Sequence, residues 1–500
     1  MPQKTYGKPV KVRGRRPDMN RIHCSIAMLC AVLITGCGGT SGTVTPPSAV
    51  GSPATAKAKC GPGSRPEIGM QGRVSRAEHE SGRAAQGYTC NAEQVGAYLV
   101  ETAVGTVGGF KVERYVDAAG RECAYYDTTL TYPTNFGTGE SGVNVMDMSN
   151  PRQPVLAARL ETPAMLSPHE SLVVSQQSGL LAAVTGNAAL YPGFVDVYDV
   201  SKDCRKPEVK AIASFGLIGH ESGMSPDGKT FYTASPGTPT ITAIDISNPA
   251  LPRVLGVIPF YSHGLSISDD GNRAYLAGVG LSGAACAYGL SCDVPDTPKD
   301  RGLIIRDVSD FQARKINPQA REISRLSWSP SSIPQNALPF TRNGRPYLLE
   351  IDEFARDSGV GAARIIDIAD ETKPKIVSDI RLEVHNPENF AAIANDPGAA
   401  FIGQGYAGHY CNIPTRVNPD IVACSMIISG LRVFDIRDPT QPREVAYFNP
   451  PLQPRVTPYL EASHYAMASP AFAPERKEIW YSDIYSGFYV VRLTNNAWPD

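Results

Sequence analysis

The sequence predicts an all-β protein, a seven-bladed β-propeller of four-stranded blades, and three observations carry that prediction. A strand-turn-strand unit recurs six times with a degenerate seventh copy. A second turn signal falls between several copies. The chain of 500 residues holds 46 Gly and 42 Pro, too many turn formers for long helices or a coiled coil.

The first unit reads Val143-Asn144-Val145-Met146-Asp147-Met148-Ser149-Asn150-Pro151 and is followed by Pro154 and a further apolar run. It returns at Val195 to Ser201, Ile241 to Pro249, Leu303 to Ser309, Arg364 to Ala369 and Leu431 to Pro439, with Phe488 to Leu493 as the degenerate copy. β-Branched and aromatic residues make each run a buried strand. The Asp and Ser that follow can bond nearby backbone amides, and Asn-Pro or Asp-Pro then turns the chain. Ser225-Pro226-Asp227-Gly228-Lys229 and Ser268-Asp269-Asp270-Gly271-Asn272 add hairpin turns between inner strands. Successive repeat Asp residues lie 52, 46, 62, 60 and 68 apart, room for four strands and longer than a solenoid period.

These units resemble the LVIVD repeat of bacterial surface propellers over Ala97 to Leu493, a resemblance that implies architecture and leaves activity open. The seventh copy lacks an outer strand, which is expected from the N-terminal region at Phe110 to Tyr115. Residues 60–96 are expected to be irregular apart from a helix near Arg76 to Ala85, and 494–500 form a tail.

Residues 1–36 carry seven cations against Asp18 and an apolar run, Ile26 to Ile34, too short to span a bilayer and suited to a signal-peptide core. The run ends in Leu33-Ile34-Thr35-Gly36-Cys37, which resembles a bacterial lipobox and implies lipidation of Cys37. Residues 37–59, mostly Gly, Ser, Thr, Pro, Ala and Val, read as a flexible tether. The expected location is therefore outside the cytoplasm, on a bacterial membrane facing the periplasm or the exterior. Beyond residue 36 the chain holds 40 cations and 48 acids, a formal charge of −8, and no basic stripe, so nucleic acid is not an expected partner.

Eight cysteines lie beyond Cys37, an even number that suggests disulfides in an oxidising compartment. The short insertions they close make Cys286 with Cys292, and Cys411 with Cys424, the expected local pairs. No CxxC spacing argues for cysteine-bound metal.

No phosphate-binding loop, GxSxG elbow or HExxH helix occurs. Histidine placement carries the chemistry instead. His169, His220, His263, His385 and His464 follow the repeat Asp of their units by 22, 21, 18, 18 and 29 residues, while Trp328 stands 21 after Asp307. Equivalent positions in five blades would converge at one mouth of the central channel. Convergent imidazoles are ligands for copper, zinc or iron, and Glu170 and Glu221, next to two of them, can orient a ring nitrogen. Propeller oxidases of the methanethiol oxidase and selenium-binding family have a similar histidine ring. Two classes follow: a lipid-anchored module that binds an unknown ligand or protein partner, with a metal in its histidine ring, and alternatively a metal-dependent oxidase. Insertions at Leu281 to Pro298 and Gln404 to Met426, the second bearing Tyr406, His409 and Tyr410, would cap the site. Binding is favoured because no nucleophile or general acid stands out.

Overall fold

The computed structural model describes residues 53–499 apart from 101–105, 129–140, 188–189, 281–300, 329–331, 357–358, 401–403 and 454–460. The signal segment, Cys37, most of the tether, the 281–298 insertion and the Cys286/Cys292 pair lie outside the described residues. What is described is a seven-bladed β-propeller, seven antiparallel sheets in a ring.

Each repeat unit is the third strand of its blade: Val143–Asp147, Phe194–Asp199, Ile241–Asp245, Arg301–Asp307, Ala363–Asp367, Leu431–Asp435 and Gly487–Leu493. These strands are sandwiched between neighbouring blades, so apolar residues are needed on both faces and the sequence runs apolar without alternation. Six of the repeat Asp residues close the turn that follows. The carboxylates of Asp147, Asp199, Asp245 and Asp307 accept the amide two residues on at 2.9 Å, as does that of Asp367, and Asp435 does so at 3.0 Å. A register shift separates the third and outer strands in blades 1 to 6, and its counterpart in blade 7 lies between Gln94 and Gly96. The repeated bulge adds twist at the rim of every blade.

The ring closes differently from the sequence expectation. Ala92–Leu99 is the outer strand of blade 7 and pairs with Gly487–Leu493, whereas Phe110 to Tyr115 leads into and forms most of the inner strand of blade 1. Tyr88–Cys90, in the region expected to be irregular, adds a fifth strand to blade 6 beside Arg443–Asn449. Both partners lie more than 300 residues away, so no local hairpin signal marks either strand. The expected helix is present as Arg76–Glu80, where Ser75 and Glu78 form a capping box.

Among the described residues, three disulfides hold the ring. Cys60–Cys90 ties the N-terminal segment to blade 6, Cys123–Cys204 joins blades 1 and 2, and Cys411–Cys424 links the first two strands of blade 6, as the spacing suggested. Such bonds suit an oxidising, extracytoplasmic environment. No helix among the described residues is long and apolar enough to cross a membrane.

The seam between last and first blades is apolar. Phe488 stacks on Tyr126 of blade 1 at 5.3 Å and meets Trp480 edge-on, with all three rings fully buried. Phe488→Ala should therefore destabilise the whole ring by about 3–5 kcal/mol, seen as a single earlier transition in thermal melting rather than separate loss of blade 7.

Candidate metal centre

Seven inner strands line the channel: Val112–Val116, Val173–Ser175, Ser222–Met224, Ser262–Ile267, Ile333–Arg342, Tyr410–Asn412 and Ala471–Ala473. The residues at or just before their starts converge on the axis. Blade by blade these are Lys111, the pair His169-Glu170, the pair His220-Glu221, His263, the pair Gln335-Asn336, His409, and Met467. Glu353 joins them from the end of the second strand of blade 5, Arg345–Glu353.

Glu170 is the hub. Its Oε2 lies 3.5 Å from His220 Nε2 and 3.7 Å from His263 Nδ1, and accepts a 3.0 Å hydrogen bond from the Tyr410 hydroxyl. Its Oε1 lies 3.5 Å from His409 Nε2 and 4.0 Å from His169 Nε2. These nitrogen–oxygen separations exceed a hydrogen bond. They approach the spacing of two ligands on one ion, about 3–3.5 Å when each bond is about 2.1 Å. The donors form three triads, His169-Glu170-His220, Glu170-Glu221-His263 and Glu170-Glu353-His409, each with its atoms within 4.8 Å of one another and able to hold a metal ion. Imidazole with carboxylate suits zinc, copper, iron or manganese.

Partners outside the cluster fix its orientation. His409 Nδ1 sits 2.6 Å from the Met467 carbonyl, which leaves the Nε2 lone pair for the axis when the ring is neutral. His263 Nε2 lies 2.8 Å from Glu353 Oε1, close but not aligned as a hydrogen bond, so among the described residues neither ring nitrogen has an aligned partner. Lys111 pairs with Glu221 Oε1 at 2.8 Å and lies over the Tyr410 ring, and Asn336 also donates to Glu221 Oε1. The other Glu221 oxygen is buried without a hydrogen-bond partner among the described residues. Glycine at 264 is what lets Glu221 reach this place, since a Cβ there would stand 2.5 Å from Glu221 Oε2. His169 adopts φ +54°, an uncommon conformation for a residue with a side chain, and brings Glu170 to the axis.

The two imidazoles toward the channel mouth, His169 and His220, keep 22% and 18% of their side chains exposed, while His263 and His409 are sealed. Beyond the Lys111–Glu221 pair the channel widens into a cavity of about 500 Å³, lined in part by Glu113, Asn412 and Arg416.

Three of the five sequence-selected histidines therefore meet, and two do not. His385 sits on the short helix Glu383–His385 and accepts the Leu382 amide at its Nδ1. His464 lies edge-on to Tyr88, its Nε2 2.8 Å from the Pro450 carbonyl. The connections into blades 6 and 7 are long, so distance from the repeat Asp no longer measures distance to the axis. Counting back from the inner strand selects His409, one residue before Tyr410, and leaves Met467 in blade 7. Glu170, expected to orient a neighbouring imidazole, is the central carboxylate. Glu353 had only a weak signal, an acid ending a buried strand that also carries Glu350 and Asp352. Of the insertion residues, His409 and Tyr410 belong to the site, whereas Tyr406 bonds Val74 and Asp396. Trp328 donates to Asp352 and lies against Arg364 between blades 4 and 5.

No family model and no curated protein matches the chain. Among solved structures, the Pseudomonas aeruginosa periplasmic gluconolactonase aligns at 13% identity and TM-score 0.48, over 69% of this chain and 85% of that one. A provisional 6-phosphogluconolactonase of Bacteroides fragilis aligns at 11% identity and TM-score 0.46, over the same shares.

Burial opposes charge throughout the cluster, and neighbours decide the outcome. It lowers the pKa of His169 and His220, with surrounding imidazoles adding to the effect at His220. At His263 burial is outweighed by Glu353 and Glu170, which raise the pKa to about 9, and His409 is raised through Glu353 and Glu170. Glu353 is held low in turn by the two imidazoles despite burial. A histidine whose folded pKa is raised contributes stability that is fully present below its unfolded value of about 6.5 and is lost as pH climbs through the folded value. Chelator-treated protein should accordingly melt progressively earlier between pH 6.5 and 9. His385 and His464, pushed down by burial to about 3 and about 4, impose a separate loss below pH 6.5. Melting curves of Glu353→Gln across this range should lack most of the alkaline loss.

Proposed function

We propose that this protein is an extracytoplasmic, lipid-anchored propeller whose axis holds a transition metal and presents it at the channel mouth to a small ligand or a partner. The observation that carries the reading is the convergence of four imidazoles on the Glu170 carboxylate at ligand spacing. Charge supports it. Glu170, Glu221 and Glu353 face one ammonium, that of Lys111, and a buried excess of negative charge calls for protons on histidine or for a cation. A metal-dependent oxidase is the second reading, favoured by the partly exposed faces of His169 and His220 beside two sealed imidazoles, as expected of an ion with an open coordination position. Azide or cyanide perturbing the spectrum of cobalt-loaded protein would support that open position.

The anchor reading rests on Leu33 to Cys37 and the tether that follows. Cys37→Ser should abolish lipid labelling of the expressed chain, and undiminished labelling would remove the anchor from this proposal.

Metal analysis after chelator-free purification should find bound transition metal. Cobalt added to stripped protein should raise the melting temperature, with about 2.7 kcal/mol of stabilisation at a hundredfold excess over Kd. His220→Ala should weaken retention strongly and His464→Ala should leave it unchanged. Retention should also weaken as pH falls below about 9, where His263 takes up the proton it must give up to bind. Absence of metal together with no rise in melting temperature would overturn the reading.

A further inference from the structure

The two oxygens of Glu170 face different imidazoles. Oε2 faces His220 and His263, at 3.5 and 3.7 Å, and Oε1 faces His409 and His169, at 3.5 and 4.0 Å. Each side also has a carboxylate of its own: Glu221 groups with His263, and Glu353 with His409, and these two triads share only Glu170, while the third triad sets His220 and His169 across Glu170 from one another, one on each of its oxygens. The cluster is thus two similar half-sites joined through one carboxylate, each offering two imidazoles, one private carboxylate and one oxygen of Glu170.

We propose that the axis binds two divalent transition-metal ions bridged by Glu170, one held by His220, His263 and Glu221 and the other by His169, His409 and Glu353. The inference rests on the metal reading above and adds the number of ions and the division of the ligands. A carboxylate can bridge ions about 3.5–4 Å apart, the usual separation in two-metal sites.

The individual contacts fit these roles. Glu221 gives Oε1 to Lys111 and Asn336 and keeps Oε2 buried and unpartnered, free for the first ion. His263 turns Nδ1 toward Glu170 while Nε2 lies against Glu353 Oε1, so Glu353 orients a ligand of the first ion. The other oxygen of Glu353, 3.2 Å from His409 Nε2 and also bonded by Gln404, serves the second ion. A single divalent ion would already balance the three carboxylates and Lys111. The paired placement of imidazoles on both oxygens of Glu170 is what calls for two. The surplus positive charge of the loaded pair then selects an anionic ligand, a hydroxide or small oxyanion, reaching it past the exposed edges of His169 and His220.

Purified, chelator-stripped protein should be reconstituted with manganese(II) and examined by native mass spectrometry and electron paramagnetic resonance. Two ions per chain with magnetic coupling between them is the expected result. Glu221→Gln and Glu353→Gln, each checked for an unchanged circular dichroism spectrum, should each reduce the count from two to one and abolish the coupling. One ion at saturation in the unmodified protein would overturn the two-ion inference while leaving the metal reading intact, and no ion would sink both. Two ions persisting in both variants would refute the division of ligands. Should either variant fail to fold, His220→Ala, at a partly exposed position, tests the first half-site by the same loss of one ion.

Discussion

Ring closure governs everything else in this molecule. Radial blades keep only short edges, but the third strand of the last blade stays uncovered unless the first part of the chain completes it, and Ala92–Leu99 does this against Gly487–Leu493. Once closed, the ring brings the start of every inner strand to the same axis. Side chains there have neither a second sheet to pack on nor free access to water, so polar groups gathered at this place must satisfy one another.

The satisfaction is incomplete in an informative way. Elsewhere in the ring, two buried clusters pair their charges in direct contacts: Arg432 with Glu67 and Glu444, and Arg364 with Glu350 and Asp352. Those clusters use Arg, whose fork matches carboxylates and which keeps its charge when buried. At the axis the cations other than Lys111 are imidazoles, which can surrender their protons and then offer lone pairs. The same protein thus builds two kinds of buried ionic cluster, one suited to locking the strands of a blade together and one suited to exchanging protons for metal.

The structural devices around the axis support that difference. The Cys411–Cys424 bond braces the strand that begins just after His409, and the Met467 carbonyl fills the seventh blade's share of the axis, holding a histidine instead of contributing one. The left-handed backbone at His169 and the missing side chain at Gly264 both put carboxylates where an ordinary β-strand entrance would not.

The architecture was legible in the chain because each blade repeats one local unit whose strand and Asp-closed turn are decided by neighbours in sequence. His169, His220 and His263 were legible too, since the connections into blades 2, 3 and 4 are short and similar in length. The closing strand, the Cys60–Cys90 and Cys123–Cys204 pairs, and the exchange of His385 and His464 for His409 and Glu353 were decided only in three dimensions. Their partners are far apart in sequence, and a long connection breaks the relation between a count of residues and a position in space. Sequence spacing carries positional meaning only across segments of fixed geometry, and beyond them the closed ring alone decides which side chains reach the axis.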